Sequence, residues 1–125
     1  MNAFQKPQKL NVLNEPSVSC CQSPMTGFFR DDYCRTNEQD FVRHVICAQM
    51  TEEFLTFTKK QGNDLSIPVS DYGFPGLQPG DRWCLCAVRW KDALENNCAP
   101  PVILEACERS ALSMLSLQEL LKHQL

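Results

Sequence analysis

Eight cysteines stand in this chain of 125 residues, and three of them, Cys47, Cys84 and Cys86, fall in apolar runs where sulfur chemistry would be sought first. Cys84 and Cys86 are two apart, a spacing that turns both side chains to one face of a strand, with Trp83 and Leu85 opposite. Beside a strand carrying Cys47 they would offer three thiolates, and His44 an imidazole, which is the donor set of a Cys3His zinc site. The same four residues would serve a thiol-dependent enzyme, with His44 as base and Asp31, Asp64 or Asp81 to orient it. Two observations weigh against both readings. His44 and Cys47, three apart, face opposite sides of a strand, and the spacings are looser than paired Cys-x-x-Cys knuckles. Cysteine also packs as a small hydrophobe. Core packing is therefore the expectation for Cys47, Cys84 and Cys86, and no cofactor is predicted, zinc being the one metal the pattern admits.

The remaining cysteines carry less pattern. Cys20-Cys21 is an adjacent pair in a turn-rich stretch, expected to be exposed and incidental, and Cys34 closes the same stretch. Cys98 and Cys107 have no spacing signal. A Cys84–Cys86 bridge is disfavoured, because extended residues two apart hold their Cα atoms about 6.5–7 Å from one another, at the limit a disulfide tolerates. Met1 to Leu13 lacks the apolar run of a secretory signal. The chain is therefore expected in the cytoplasm, with its cysteines as thiols.

A second constellation is polar. Arg30-Asp31, Asn63-Asp64 and Asp81-Arg82 each lie on a loop adjoining an expected element, where binding residues concentrate. Flanked by Phe28, Phe74, Trp83 and Trp90, these groups could hold a small anionic or amide-bearing ligand, with guanidinium forks fixing its orientation. Against this, Arg30, Asp81 and Arg82 could simply pair with one another or with loop carbonyls. Fifteen acids against twelve lysines and arginines leave a net charge of -3. No basic cluster emerges for nucleic acid, and no apolar stretch is long enough to span a bilayer.

Elements must position these groups. Residues 1–10 are polar and read as a loose tail, and 11–125 as one domain, long enough to fold without metal or disulfides. Residues 11–40 are dense in turn formers and expected to be an ordered loop. His44 to Met50 is short, β-branched and apolar, which suits a buried strand. Thr51 then caps a helix with Glu52 and Glu53 in its first turn and Lys59 and Lys60 in its last, and Gly62-Asn63 stops it. Two Pro-Gly turns, at 75–76 and 79–80, lead into a second strand over 82–88. A short helix is expected over 89–96, a third strand over 102–107, and helical turns over 108–112 and 117–123. Ser116 and Glu119 have the spacing of a capping box for the last of these. The fold class is thus α+β, with about three short strands, short helices and long ordered loops.

Several stretches together resemble a small bacterial family, the domain of unknown function 2237. They are Asn11-Val12-Leu13, Glu15-Pro16, Thr26 to Asp31, His44-x-x-Cys47-Ala48, Met50 to Leu55, Gly62 to Ser66, Gly73 to Leu77, Pro79 to Ala87, Arg89-Trp90 and Ala99 to Val102. The resemblance runs from about Asn11 to Leu121. It implies a single-domain cytosolic bacterial protein, and it carries over no catalytic residue, substrate or cofactor. The leading functional expectation is a small domain that binds a small molecule or a protein through the loops at Arg30, Asp31, Asp64, Asp81 and Arg82. The alternative is the metal- or thiol-dependent enzyme on His44, Cys47, Cys84 and Cys86.

Overall fold

A computed structural model describes residues 10–20, 33–34, 43–69 and 76–125. Strand β1 (His44–Gln49) pairs antiparallel with β2 (Arg82–Cys86), and between them comes helix α1 (Glu52–Lys60). Helix α2 (Ala87–Glu95) follows β2 directly, and α3 (Leu117–Lys122) closes the chain. The fold is α+β, as its sequence implies, with two strands among the described residues where about three were expected.

β1 is the centre of the molecule. Val45, Ile46, Cys47 and Ala48 are all fully buried, which is why the segment reads as a continuous apolar run rather than an alternating one. One edge of β1 takes β2, in the register Ile46↔Leu85, Cys47↔Cys84, Ala48↔Trp83 and Gln49↔Arg82, with an irregularity between His44 and Ile46. The other edge is met by residues 101–108. Gln49 N donates to Pro101 O at 2.9 Å, Ile103 N to Cys47 O at 2.9 Å, and Glu108 N to Val45 O at 2.9 Å.

Residues 102–107 do not form the expected third strand, although they occupy its place. Val102 makes isolated bridges to Ala48 and Gln124, and the chain then winds into a 3-10 turn over Leu104–Ala106. The physical reason lies in composition: Val-Ile is followed by Leu-Glu-Ala, three good helix formers of low strand preference. The turn closes through Ala106 N to Ile103 O and Cys107 N to Leu104 O. Outside it lies the segment 10–18, tied by Val12 N to Cys107 O, Val18 N to Glu105 O and Arg109 N to Leu10 O. Asn11, 1% exposed, stitches that segment internally: its Oδ1 accepts from the N–H groups of Leu13 and Glu15, and its Nδ2 donates to Glu105 O.

The helices follow their local signals. Thr51 Oγ1 accepts from Phe54 N, and the acids and lysines of α1 sit at the ends the helix dipole favours. Ser116 and Glu119 form the capping box of α3. Residues 87–88, expected to extend β2, begin α2 instead, with Cys86 as its N-cap. Trp90 on α2 is buried, its Nε1 donates to Pro100 O at 3.0 Å, and its ring meets His123 edge-on at 5.5 Å. The expected helical stretch at 108–112 is a 3-10 helix over Arg109–Ser113. Of the two Pro-Gly turns, the second is present, with Asp81 N donating to Gln78 O and Gly80 at φ 96°. The first begins outside the described residues, which Gly76 rejoins.

Gly76 (φ +84°) lies against the strap 66–68, where an added Cβ would collide with the Ser66 carbonyl, whereas Gly62 (φ +88°) faces open space. Both positions cost an alanine about 1–2 kcal/mol in backbone strain, and only Gly76 adds a clash with main chain. Gly76→Ala is expected to destabilise the protein by clearly more than Gly62→Ala, as read by urea unfolding. Equal losses would mean that the strap does not bear on residue 76.

Candidate functional site

Cys47 and Cys84 are register partners on adjacent strands. The backbone groups of Val45, Cys47 and Gln49 point to residues 101–108, so those of Ile46 and Ala48 face β2. Cys47 and Cys84 therefore form a non-hydrogen-bonded pair, the closer kind, with side chains on one face and Cα atoms about 4.5 Å apart. Each is bonded to a cysteine from the N-terminal part of the chain: Cys20 to Cys47, with Cα atoms 5.7 Å apart, and Cys34 to Cys84, with Cα atoms 5.3 Å apart. Both separations are ordinary for disulfides. The sulfurs of Cys20, Cys34 and Cys47 lie within 4.8 Å of one another, so the two disulfides form one four-sulfur centre.

The centre is closed to solvent. Cys20, Cys34, Cys47 and Cys84 are 4%, 1%, 0% and 1% exposed. Its pairing is interlaced, since each disulfide's loop contains one cysteine of the other. Three cysteines close together could hold a metal ion, and the disulfide bonding of the centre occupies the same sulfurs.

These positions correct the expectation that the cysteines are all thiols. Cys20, expected to be exposed and incidental, is buried and bonded. Cys47 and Cys84 are core residues as expected, but as half-cystines. His44 and Cys86 face each other across the irregular end of the sheet, and the structure does not bring them into a metal-ligating cluster with Cys47 and Cys84 among the described residues. The partners of Cys47 and Cys84 are Cys20 and Cys34, which sequence reasoning passed over. One signal for them existed: both cysteines lie in a stretch whose sequence is dense in turn formers, and a stretch with so few expected regular elements needs an anchor to the core.

Cys86, Cys98 and Cys107 lie outside these two disulfides. Burial pushes the Cys107 thiol up to about 12, and the thiol donates to Cys47 O at 3.7 Å. Burial, with Glu53 nearby, also raises Cys98. Neither has the lowered pKa that makes a thiol nucleophilic.

The polar constellation is found in part. Arg30 and Asp31 lie outside the described residues, as do Phe28 and Phe74. Asp64 accepts from the N–H and hydroxyl of Ser66, and those two bonds hold its carboxyl below the usual range. Asp81 Oδ2 accepts from Gln78 N at 2.9 Å. Each carboxylate thus closes its own turn. Leu77 N donates to Leu65 O at 2.8 Å, which places these two turns side by side. Arg82, at the start of β2, is exposed, and so are Ile67 (54%) and Val69 (40%) on the neighbouring strap.

A family model described as "Uncharacterized protein conserved in bacteria (DUF2237)" matches residues 10–124. The chain belongs to this family. The match gives a domain of unknown function and no assignable reaction, and no curated protein matches the chain. In this DUF2237 chain, no helix among the described residues is long and apolar enough to cross a membrane. All four cysteines of the centre fall inside the matched span.

Closing loops across sequence separations of 27 and 50 residues should stabilise the fold by about 3.5 and 4 kcal/mol respectively on chain-entropy grounds. Replacing Cys34 and Cys84 together by alanine is expected to cost about 4 kcal/mol or more in denaturant unfolding. Because the loops interlace, each bridge shortens the effective loop of the other, so removing all four should cost at least as much as the two single-pair losses added. A loss below about 1 kcal/mol for either pair would show that the disulfides do not tie the fold.

Cys107 gives a pH prediction. Its folded-state value is raised from 9.0 to about 12, so its contribution is complete below 9.0 and is lost as pH rises from there toward 12. The alkaline fall in stability should be shallower in Cys107→Ala, and an unchanged slope would contradict the burial of this thiol.

Proposed function

We propose that this protein is a small binding domain whose sulfur centre is structural, and that it carries no thiol reaction. The observation that supports this most is the closure of the centre, since a catalytic disulfide must admit an attacking thiolate at a sulfur atom. The raised pKa of Cys98 and of Cys107 points the same way. Zinc, the metal that sulfur ligands would favour, enters this reading only as a closed structural ion without an open coordination position.

The binding surface proposed is formed by the adjoining turns 64–69 and 76–82. It combines the exposed Arg82 with the exposed apolar side chains of Ile67 and Val69, the mix of charge and apolar area that interfaces use. A small molecule with an anionic or amide group, or a protein segment presenting one, fits that chemistry.

Two measurements test the reading. Thiol titration of the folded protein should find slow thiols and no hyper-reactive one, with the count rising only on unfolding. A single fast thiol in the native state would favour the enzyme instead. Native mass spectrometry of the purified protein should show a small-molecule adduct that Arg82→Ala loses, while stability changes by no more than about 0.5 kcal/mol, as for other exposed substitutions. A collapse in melting temperature would assign Arg82 a structural role and remove it from the site.

A further inference from the structure

We propose that Cys20, Cys34, Cys47 and Cys84, when both disulfides are reduced, form a tetrathiolate site for one zinc-class divalent cation, so that the centre is held either by two disulfides or by a metal. The proposal concerns the core and is independent of what the surface around Arg82 binds. In a tetrahedral zinc–thiolate site with Zn–S of about 2.3 Å, the sulfurs sit about 3.8 Å apart. The Cys20, Cys34 and Cys47 sulfurs are already gathered within 4.8 Å of one another. The fourth, Cys84, is bonded to one of the three, and its strand neighbour Cys47 stands directly opposite on the same face. Opening the bonds frees four side-chain torsions to spread the sulfurs evenly, with no movement of the strand pair required.

The surroundings suit a structural ion. The four positions are at most 4% exposed, as closed zinc sites are. The Cys47 carbonyl is fixed by Ile103 N at 2.9 Å and approached by the Cys107 thiol at 3.7 Å, so the ligand-bearing backbone is held from outside the centre. The donors are all sulfur, which selects zinc-class ions over magnesium or calcium. His44 and Cys86 are not required, and the ligand set differs from the one that spacing along the chain suggests.

The chemistry balances with a named reductant. A trialkylphosphine takes one oxygen atom from water for each disulfide opened, becoming the phosphine oxide, and each disulfide gains two electrons and two protons to give two thiols. Four thiols then bind one divalent cation as thiolates and release four protons. Two equivalents of a small-molecule disulfide reverse the process: each takes two electrons and two protons to become two thiols while two protein thiolates join as a disulfide, and the cation leaves because half-cystine sulfur is no longer a thiolate ligand.

Cobalt(II) added to the native full-length protein during anaerobic phosphine reduction is the test. One equivalent should bind, with the visible bands of a tetrahedral site and the sulfur-to-metal charge transfer of four thiolates, and zinc should displace it. The oxidised protein should bind none. Cys34→Ser should weaken binding by more than the 10–100-fold that outer groups typically cost, and Cys86→Ser should leave it unchanged. No stoichiometric uptake on full reduction would overturn the proposal. So would binding by the oxidised form, or a site abolished by Cys86→Ser. Because the wild-type spectrum is itself diagnostic, the result stands even where a serine variant fails to fold.

Discussion

The rest of this structure depends on the direct opposition of Cys47 and Cys84 across the non-hydrogen-bonded register of β1 and β2. A slip of one residue would turn one of the two sulfurs to the other face, and the N-terminal cysteines would lose a common target. With the register fixed, Cys20 and Cys34 can both reach the same point. The segments around them are then joined to the sheet by covalent bonds in addition to the hydrogen bonds that hold residues 10–18 to residues 105–109. The centre of the fold is thus a place where a two-stranded sheet, too small to be stable alone, is reinforced from one face by sulfur and along its free edge by residues 101–108.

That second reinforcement explains how so little regular structure makes a packed core. β1 has hydrogen-bond partners on both edges, yet only one partner is a strand. Pro101, Ile103 and Glu108 supply the other edge at irregular intervals, while the 3-10 turn between them brings Leu104 and Ala106 down onto the core. Trp90 is also buried in the core, its Nε1 donating to Pro100 O and its ring edge-on to His123. The turns that carry Arg82 and the 65–69 strap lie at the surface, anchored by short local bonds, and they expose Arg82, Ile67 and Val69.

The regular elements were legible because their signals are local. The Thr51 cap, the charge order of α1, the Ser116 and Glu119 box and the apolar run of β1 each act within a few residues, and each is where the sequence puts it. The third strand was misread because Val102 and Ile103 have the strand preference while Leu104, Glu105 and Ala106 have not, and the pattern of burial alone does not separate the two. The sulfur centre was half legible. Cys47 and Cys84 stood out by lying on strands, but Cys20 and Cys34 are 27 and 50 residues from their partners, a distance over which no periodicity operates. Reading Cys84 with Cys86 followed the period of a strand that ends at Cys86, where α2 begins.

The four-sulfur centre is defined by its disulfide connectivity. Peptide mapping of the unreduced chain, with thiols alkylated as it unfolds, should recover Cys20 linked to Cys47 and Cys34 linked to Cys84, and Cys86, Cys98 and Cys107 alkylated. Cys20 or Cys34 joined to one of those three, or both recovered as alkylated thiols from air-oxidised protein, would contradict the four-sulfur centre and the fold built on it.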